Sequence, residues 1–154
     1  MRRLQVVSMA FLYLLTGIFP ISAYGTSLID FSSVYFKAGR PLVEESLEDS
    51  IANETALGYL KETVVILERF PDAKIEIVGN VDASECSAKY QCDDLAFRRA
   101  VLVHRYLLDA GIDAKQIISL TRYTVLRKNP TLHNDNPSWN QRVDINLALD
   151  PTRK

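Results

Sequence analysis

The sequence is poor in the side chains that most often carry chemistry: two histidines, two cysteines and one tryptophan in 154 residues. His104 and His133 are remote in sequence from each other and from Cys86 and Cys92, so a zinc-type ligand spacing is missing. No serine, cysteine or histidine stands in a recognisable nucleophile and base pattern. The adjacent carboxylates Asp93 and Asp94 diverge by about 100° on a helix and do not share a substrate. Excess positive charge is also lacking: 18 basic against 19 acidic side chains give a net charge of -1, which confers no affinity for nucleic acid by charge alone. Low-complexity sequence is missing too. These absences argue against an enzyme, in a chain of a length that suits one domain.

Long hydrophobic runs are scarce as well, with one exception. Met1-Arg2-Arg3 precedes the apolar stretch Val6 to Phe19, and Pro20, Ser22 and Ala23 follow as a small-residue exit. This pattern predicts a secretory signal over residues 1–23, cut between Ala23 and Tyr24. The alternative is a retained membrane anchor, although the run is shorter than the ~20 residues a span needs. No cysteine follows Ala23 closely, which excludes a lipid attached to a processed N-terminal cysteine. Cutting there removes only Arg2 and Arg3, leaving 16 basic and 19 acidic side chains. In an exported chain, Cys86 and Cys92 are expected to form a disulfide, with free thiols or half of a metal site as the alternatives.

Residues 24–27 read as a leader, residues 28–149 as the domain and residues 150–154 as a polar tail. Leu28 to Phe36 mixes aromatic and β-branched residues and predicts a first strand. Glu44 to Asn53 reads as a loop or short helix. From Glu54, Leu57, Leu60, Val64 and Leu67 recur at helical spacing, with Asn53 as N-cap and Pro71 as the stop. Lys74 to Val78 predicts the second strand, with Gly79 as its exit. A second helix is expected from Asp93 or Asp94 to about Ala110, closed by Gly111. Gln116 to Thr121 and Arg142 to Leu149 predict the last two strands. The order βαβαββ argues an α/β sandwich, one mixed sheet with two main helices on one face. It places Asp82 at the C-terminal mouth of the second strand and Arg99 in the second turn of the following helix.

Three ordered segments, Gly79-Asn80-Val81-Asp82, Leu95-Ala96-Phe97-Arg98-Arg99-Ala100 and Asn140-Gln141-Arg142-Val143-Asp144-Ile145, resemble motifs of the C-terminal domain of outer membrane protein A. That domain also occurs in peptidoglycan-associated lipoproteins and flagellar stator proteins. The resemblance covers roughly residues 31–147. It implies a non-catalytic periplasmic module of the cell envelope whose partner is peptidoglycan, gripped by the diaminopimelate of its stem peptide. The family's ligand aspartate maps onto Asp82, its ligand arginine onto Arg99, and the arginine of its Asn-x-Arg-Val motif onto Arg142. Diaminopimelate carries an ammonium and carboxylates, so an acceptor and a forked donor suit it.

Departures accompany the likeness. The family's His-Thr is Asn80-Val81 here, an asparagine falls on Cys92 and a serine on Ala96, and the loop between Asp82 and Arg99 is about two residues longer. Two other readings therefore stand beside wall binding. Asp82 and Arg99 could form an internal ion pair, with Arg142 capping the sheet edge. The fold could also serve as a scaffold for another envelope protein.

Overall fold

The computed structural model describes residues 29–125 and 137–148. The signal-like run, the leader, the polar tail and His133 lie outside the described residues.

The main elements are β1 (Val34–Tyr35), a short helix α1 (Leu47–Ser50), α2 (Glu54–Arg69), β2 (Ile75–Asp82), α3 (Lys89–Asp109), β3 (Ile117–Val125) and β4 (Arg142–Leu147). The four strands form one mixed sheet in the order β1-β4-β2-β3. β2 runs parallel to β3 and antiparallel to β4, and β1 is antiparallel to β4. The expected sandwich is therefore present, with β2 as an inner strand.

Its helices cover one face. Ile75 and Ile77 of β2, Val143 and Ile145 of β4 and Val34 of β1 enter a single buried cluster with Leu60 and Leu67 of α2 and Ala100, Val103 and Leu107 of α3. Alternation sends Glu76, Val78, Arg142 and Asp144 to the opposite, partly exposed face. Each fully buried Leu or Ile of this cluster contributes about 1.5–3 kcal/mol. For α2 the sequence signals hold: the Asn53 side chain accepts the Ala56 N–H at 3.1 Å, and the helix ends at Arg69, before Pro71.

Several expected boundaries move. β1 has two residues rather than nine, because only Val34 and Tyr35 pair with β4; Ser33 instead bonds Asp144 through its side chain, and Phe36 bridges to Ile51. β2 does not leave the sheet at Gly79 but runs on to Asp82, paired throughout with β3. Gly79 is needed for a different reason: a Cβ there would lie 1.9 Å from the carbonyl oxygen of Ala96, so only glycine lets α3 pack so closely on the strand. β3 extends past Thr121 to Val125 along the continuing β2.

α3 starts at Lys89, about one turn before the expected Asp93 or Asp94. Two local contacts explain the early start. The Gln91 side chain accepts the Ser87 N–H at 3.0 Å, and Cys92 is joined to Cys86 across a Cα separation of 5.5 Å. Asp93 and Asp94 are consequently not caps. Asp93 accepts from Thr124 of β3, and Asp94 pairs with Arg98. Arg99 lies in the third turn of α3 rather than the second. The helix closes as expected, with Gly111 at φ 94°.

Candidate functional site

The C-terminal end of β2 is the polar centre of the molecule. Asp82 is its last residue and caps a single 3-10 turn, Ala83–Glu85. Its Oδ1 accepts the Ser84 N–H at 2.9 Å and the Ser84 hydroxyl at 2.5 Å, and its Oδ2 accepts from the Asn140 amide at 2.8 Å. Asp82 is fully buried, and so is Arg99.

Arg99 spends all five of its N–H groups within the chain. Nε donates to the Arg40 carbonyl at 2.8 Å, Nη1 to the Asn80 carbonyl at 2.8 Å and Nη2 to the Lys37 carbonyl at 3.3 Å. The remaining two donors form a parallel fork onto the carboxylate of Glu85, at 3.0 and 2.6 Å. The Phe36 ring lies 5.5 Å from the guanidinium carbon, a cation–π contact. Glu85 is equally saturated, since it also accepts the Gly39 N–H at 2.9 Å and the Asp82 N–H at 3.0 Å.

The structure therefore brings Asp82 and Arg99 into one neighbourhood, with Glu85 between them: the Asp82 backbone and the Arg99 fork donate to the same carboxylate. An ion pair this deep is held by hydrogen bonds that offset a desolvation cost of several kcal/mol per ion. Neither charge opens onto water. Glu85 is the residue that the sequence reading missed. Its signal was present, because Asp82-x-x-Glu85 fits a capping box, and both of the box's reciprocal bonds form.

Arg142 stands beside this cluster on the partly exposed face of the sheet. Its Nε donates to Asp144 at 2.7 Å, and Nη1 donates to the Trp139 carbonyl. Asp144 in turn accepts from Asn80 at 2.9 Å and Ser33 at 2.6 Å. A Pro137–Asn140 turn links the groups, since its Asn140 side chain reaches Asp82 while its Trp139 carbonyl reaches Arg142. Trp139 is half exposed.

Cys86 and Cys92 form a disulfide that ties the loop after Glu85 to the first turn of α3. Among the described residues, no group of three or more His, Cys, Asp or Glu side chains is placed to hold a metal ion, and no helix is long and apolar enough to cross a membrane. A cleft of about 590 Å³ lies elsewhere, between the Pro41–Glu48 segment and the outer side of α3 at Arg98, Leu102 and Tyr106. Arg98 is partly buried there and donates to the Pro41 carbonyl at 3.2 Å, rather than facing solvent freely. Burial, and secondarily the charge of Glu48, raises the phenol of Tyr106 above its ordinary value.

No protein-family model and no curated protein sequence matches the chain. Solved structures do. The C-terminal domain of Helicobacter pylori MotB is 23% identical with a TM-score of 0.56, over 78% of this chain and 86% of that one. The peptidoglycan-associated lipoprotein of Burkholderia pseudomallei is 24% identical with a TM-score of 0.51, over 75% and 89% of the two chains. The OmpA-like domain of FopA1 from Francisella tularensis is 17% identical with a TM-score of 0.54, over 76% and 74%. Together with the motifs at Asp82, Arg99 and Arg142, these matches identify the fold as that of the OmpA-like domains.

Proposed function

We propose that the protein is a non-catalytic, exported module of the cell envelope that binds peptidoglycan. Its contact is the diaminopimelate of the stem peptide, with Asp82 and Arg99 as the gripping pair and Arg142 at the rim. The observation that carries this reading is the Arg99 fork itself. Two parallel N–H donors, braced by three backbone carbonyls, already hold a carboxylate at 2.6 and 3.0 Å. That arrangement suits a ligand carboxylate once Glu85 yields the fork, and charge-assisted bonds of this kind contribute about 1.5–3 kcal/mol each. The structural relatives include a protein named for its association with peptidoglycan, which supports the same reading.

The test is co-sedimentation of the purified chain with diaminopimelate-type sacculi. Because Asp82 and Arg99 are buried, the variants are the conservative Asp82→Asn and Arg99→Lys, each checked for folding by circular dichroism. Retention in the pellet should fall at least tenfold for both; folded variants that pellet like the unmodified protein, or an unmodified protein that never pellets, would remove the proposal.

A second reading is a scaffold that keeps the fold and binds an envelope protein. It is favoured by the saturation of Arg99 and by the cleft beside Pro41–Glu48, next to which Leu42 and Val43 are exposed at 56% and 76%. A stoichiometric envelope partner recovered from wall-digested cells, and lost on Val43→Asp, would support it. Recovery that is unaffected by Val43→Asp would count against it.

A further inference from the structure

We propose that Glu85 is a resident ligand of the Arg99 fork, an intramolecular carboxylate that an incoming one must displace. The proposal rests on the wall-binding reading and adds to it the residue that sets affinity and specificity. Three observations carry it. The first is that most of the bonds that hold Arg99 come from groups other than Glu85, which itself ties down the Gly39 and Asp82 N–H groups. Three of the five guanidinium donors are spoken for by the backbone carbonyls of Lys37, Arg40 and Asn80, and the Phe36 ring packs at 5.5 Å, so Arg99 keeps three of its five hydrogen bonds if the carboxylate leaves.

The second is that Glu85 comes from outside the packed core. It belongs to a three-residue turn whose neighbours Ser84 and Ser87 are exposed, while its own side chain is only 3% exposed. The turn that carries Glu85 thus lies at the surface of the molecule. The third is tethering. Cys86, the next residue, is bonded to Cys92 at the start of α3, which keeps the carboxylate beside the fork. A tethered group acts at an effective concentration on the order of millimolar or above, so free carboxylates compete at a disadvantage.

The consequence is selective. A ligand with one carboxylate offers Arg99 only what Glu85 already supplies, whereas a ligand that also brings an ammonium to Asp82 gains a contact that Glu85 cannot make. A zwitterion such as diaminopimelate therefore has the advantage over a simple carboxylate.

The experiment reads access to Arg99 directly. The purified chain and its Glu85→Ala and Glu85→Gln variants are treated with the arginine reagent phenylglyoxal, and modification is located by peptide mass mapping. Exposed Arg105 serves as the internal standard, and folding is checked by circular dichroism. Arg99 should be protected in the unmodified chain and react at least tenfold faster in Glu85→Ala. Free diaminopimelate should restore protection, and acetate at the same concentration should do so less well. Glu85→Gln keeps the shape of the side chain and serves if Glu85→Ala does not fold. A folded variant whose Arg99 stays as unreactive as before, or reacts without protection by diaminopimelate, overturns the proposal.

Sacculus pelleting separates the two readings. If Arg99 opens and is protected by diaminopimelate but no form pellets, wall binding fails and the resident-ligand assignment stands. If the unmodified chain pellets and the folded variants neither pellet more nor expose Arg99, the resident-ligand assignment fails and wall binding stands.

Discussion

One substitution made at two glycines should move stability in opposite directions. Gly79 sits in β2 beneath α3, where a built Cβ falls 1.9 Å from the Ala96 carbonyl oxygen and 2.8 Å from its carbonyl carbon. The first contact is more than 1 Å short of the 3.0 Å below which real Cβ atoms essentially never approach, and the obstacle is helix backbone that cannot rotate away. Strand and helix must therefore separate by about 1 Å, a gap that forfeits roughly a quarter to a half of the dispersion attraction across it. Val81, Leu95, Ala96 and Ala100 line this seam, all buried, and the bonds that hold Arg99 on α3 stretch with it. Gly79→Ala should accordingly cost about 3–5 kcal/mol, at or above the usual range for overpacking, and lower the melting temperature by about 10–20 °C. Gly58 lies exposed within α2, with nothing within 4 Å of the Cβ position. Gly58→Ala should instead stabilise by about 0.5–1 kcal/mol through helix propensity. Urea unfolding of the three proteins followed by circular dichroism checks both values. A Gly79→Ala midpoint within about 1 kcal/mol of the unmodified chain would refute the close approach of α3 to β2.

Two further outcomes are expected. Replacing both Cys86 and Cys92 with alanine should cost about 2 kcal/mol by the chain-entropy model for so short a loop; thiol labelling of the unfolded, unreduced protein should find no free thiol, and two labelled thiols would refute the bridge. In a double-mutant cycle, Arg99→Met and Glu85→Leu should each destabilise by about 3–5 kcal/mol by stranding a buried charge, whereas the double variant should cost far less than their sum. Additive costs within about 0.5 kcal/mol would show that the pair is not coupled.

The sequence exposes those parts of the fold whose causes are local. The Leu57–Leu67 periodicity, the Asn53 cap, Pro71 and Gly111 mark α2 and the end of α3 because each acts within a turn or two of itself. The boundaries that moved depend on distant partners. Gly79 reads as a strand exit until Ala96 is laid against it, and Asp93 reads as a cap until the Cys86–Cys92 bridge draws Lys89 into the helix. The first strand shrinks because the backbone around it finds other partners: only Val34 and Tyr35 pair with β4, while Phe36 bridges to Ile51. At the site, Asp82 and Arg99 are legible through ordered motifs. Their depth of burial is not, since it comes from three backbone carbonyls contributed by Lys37, Arg40 and Asn80. Carbonyls carry no sequence signature.

Most of the residues at which the chain departs from the motifs it resembles meet in space. Val81, Cys92 and Ala96 stand where the resembled motifs carry polar side chains, and in the structure these three pack with Leu95 and Cys86 as a separate apolar cluster. They form a hydrophobic wedge along the β2–α3 seam, and the disulfide closes the same wedge at its edge. Asn80, the fourth departure, turns to the opposite face and binds Asp144. An apolar wedge of this kind offers no polar partners to the buried charges of Asp82 and Arg99. The remaining buried charges must then satisfy one another or take a ligand, because an unpaired buried ion is too costly to persist. Glu85 meets that demand from the chain itself, and a ligand competing for Arg99 would have to meet it at least as well.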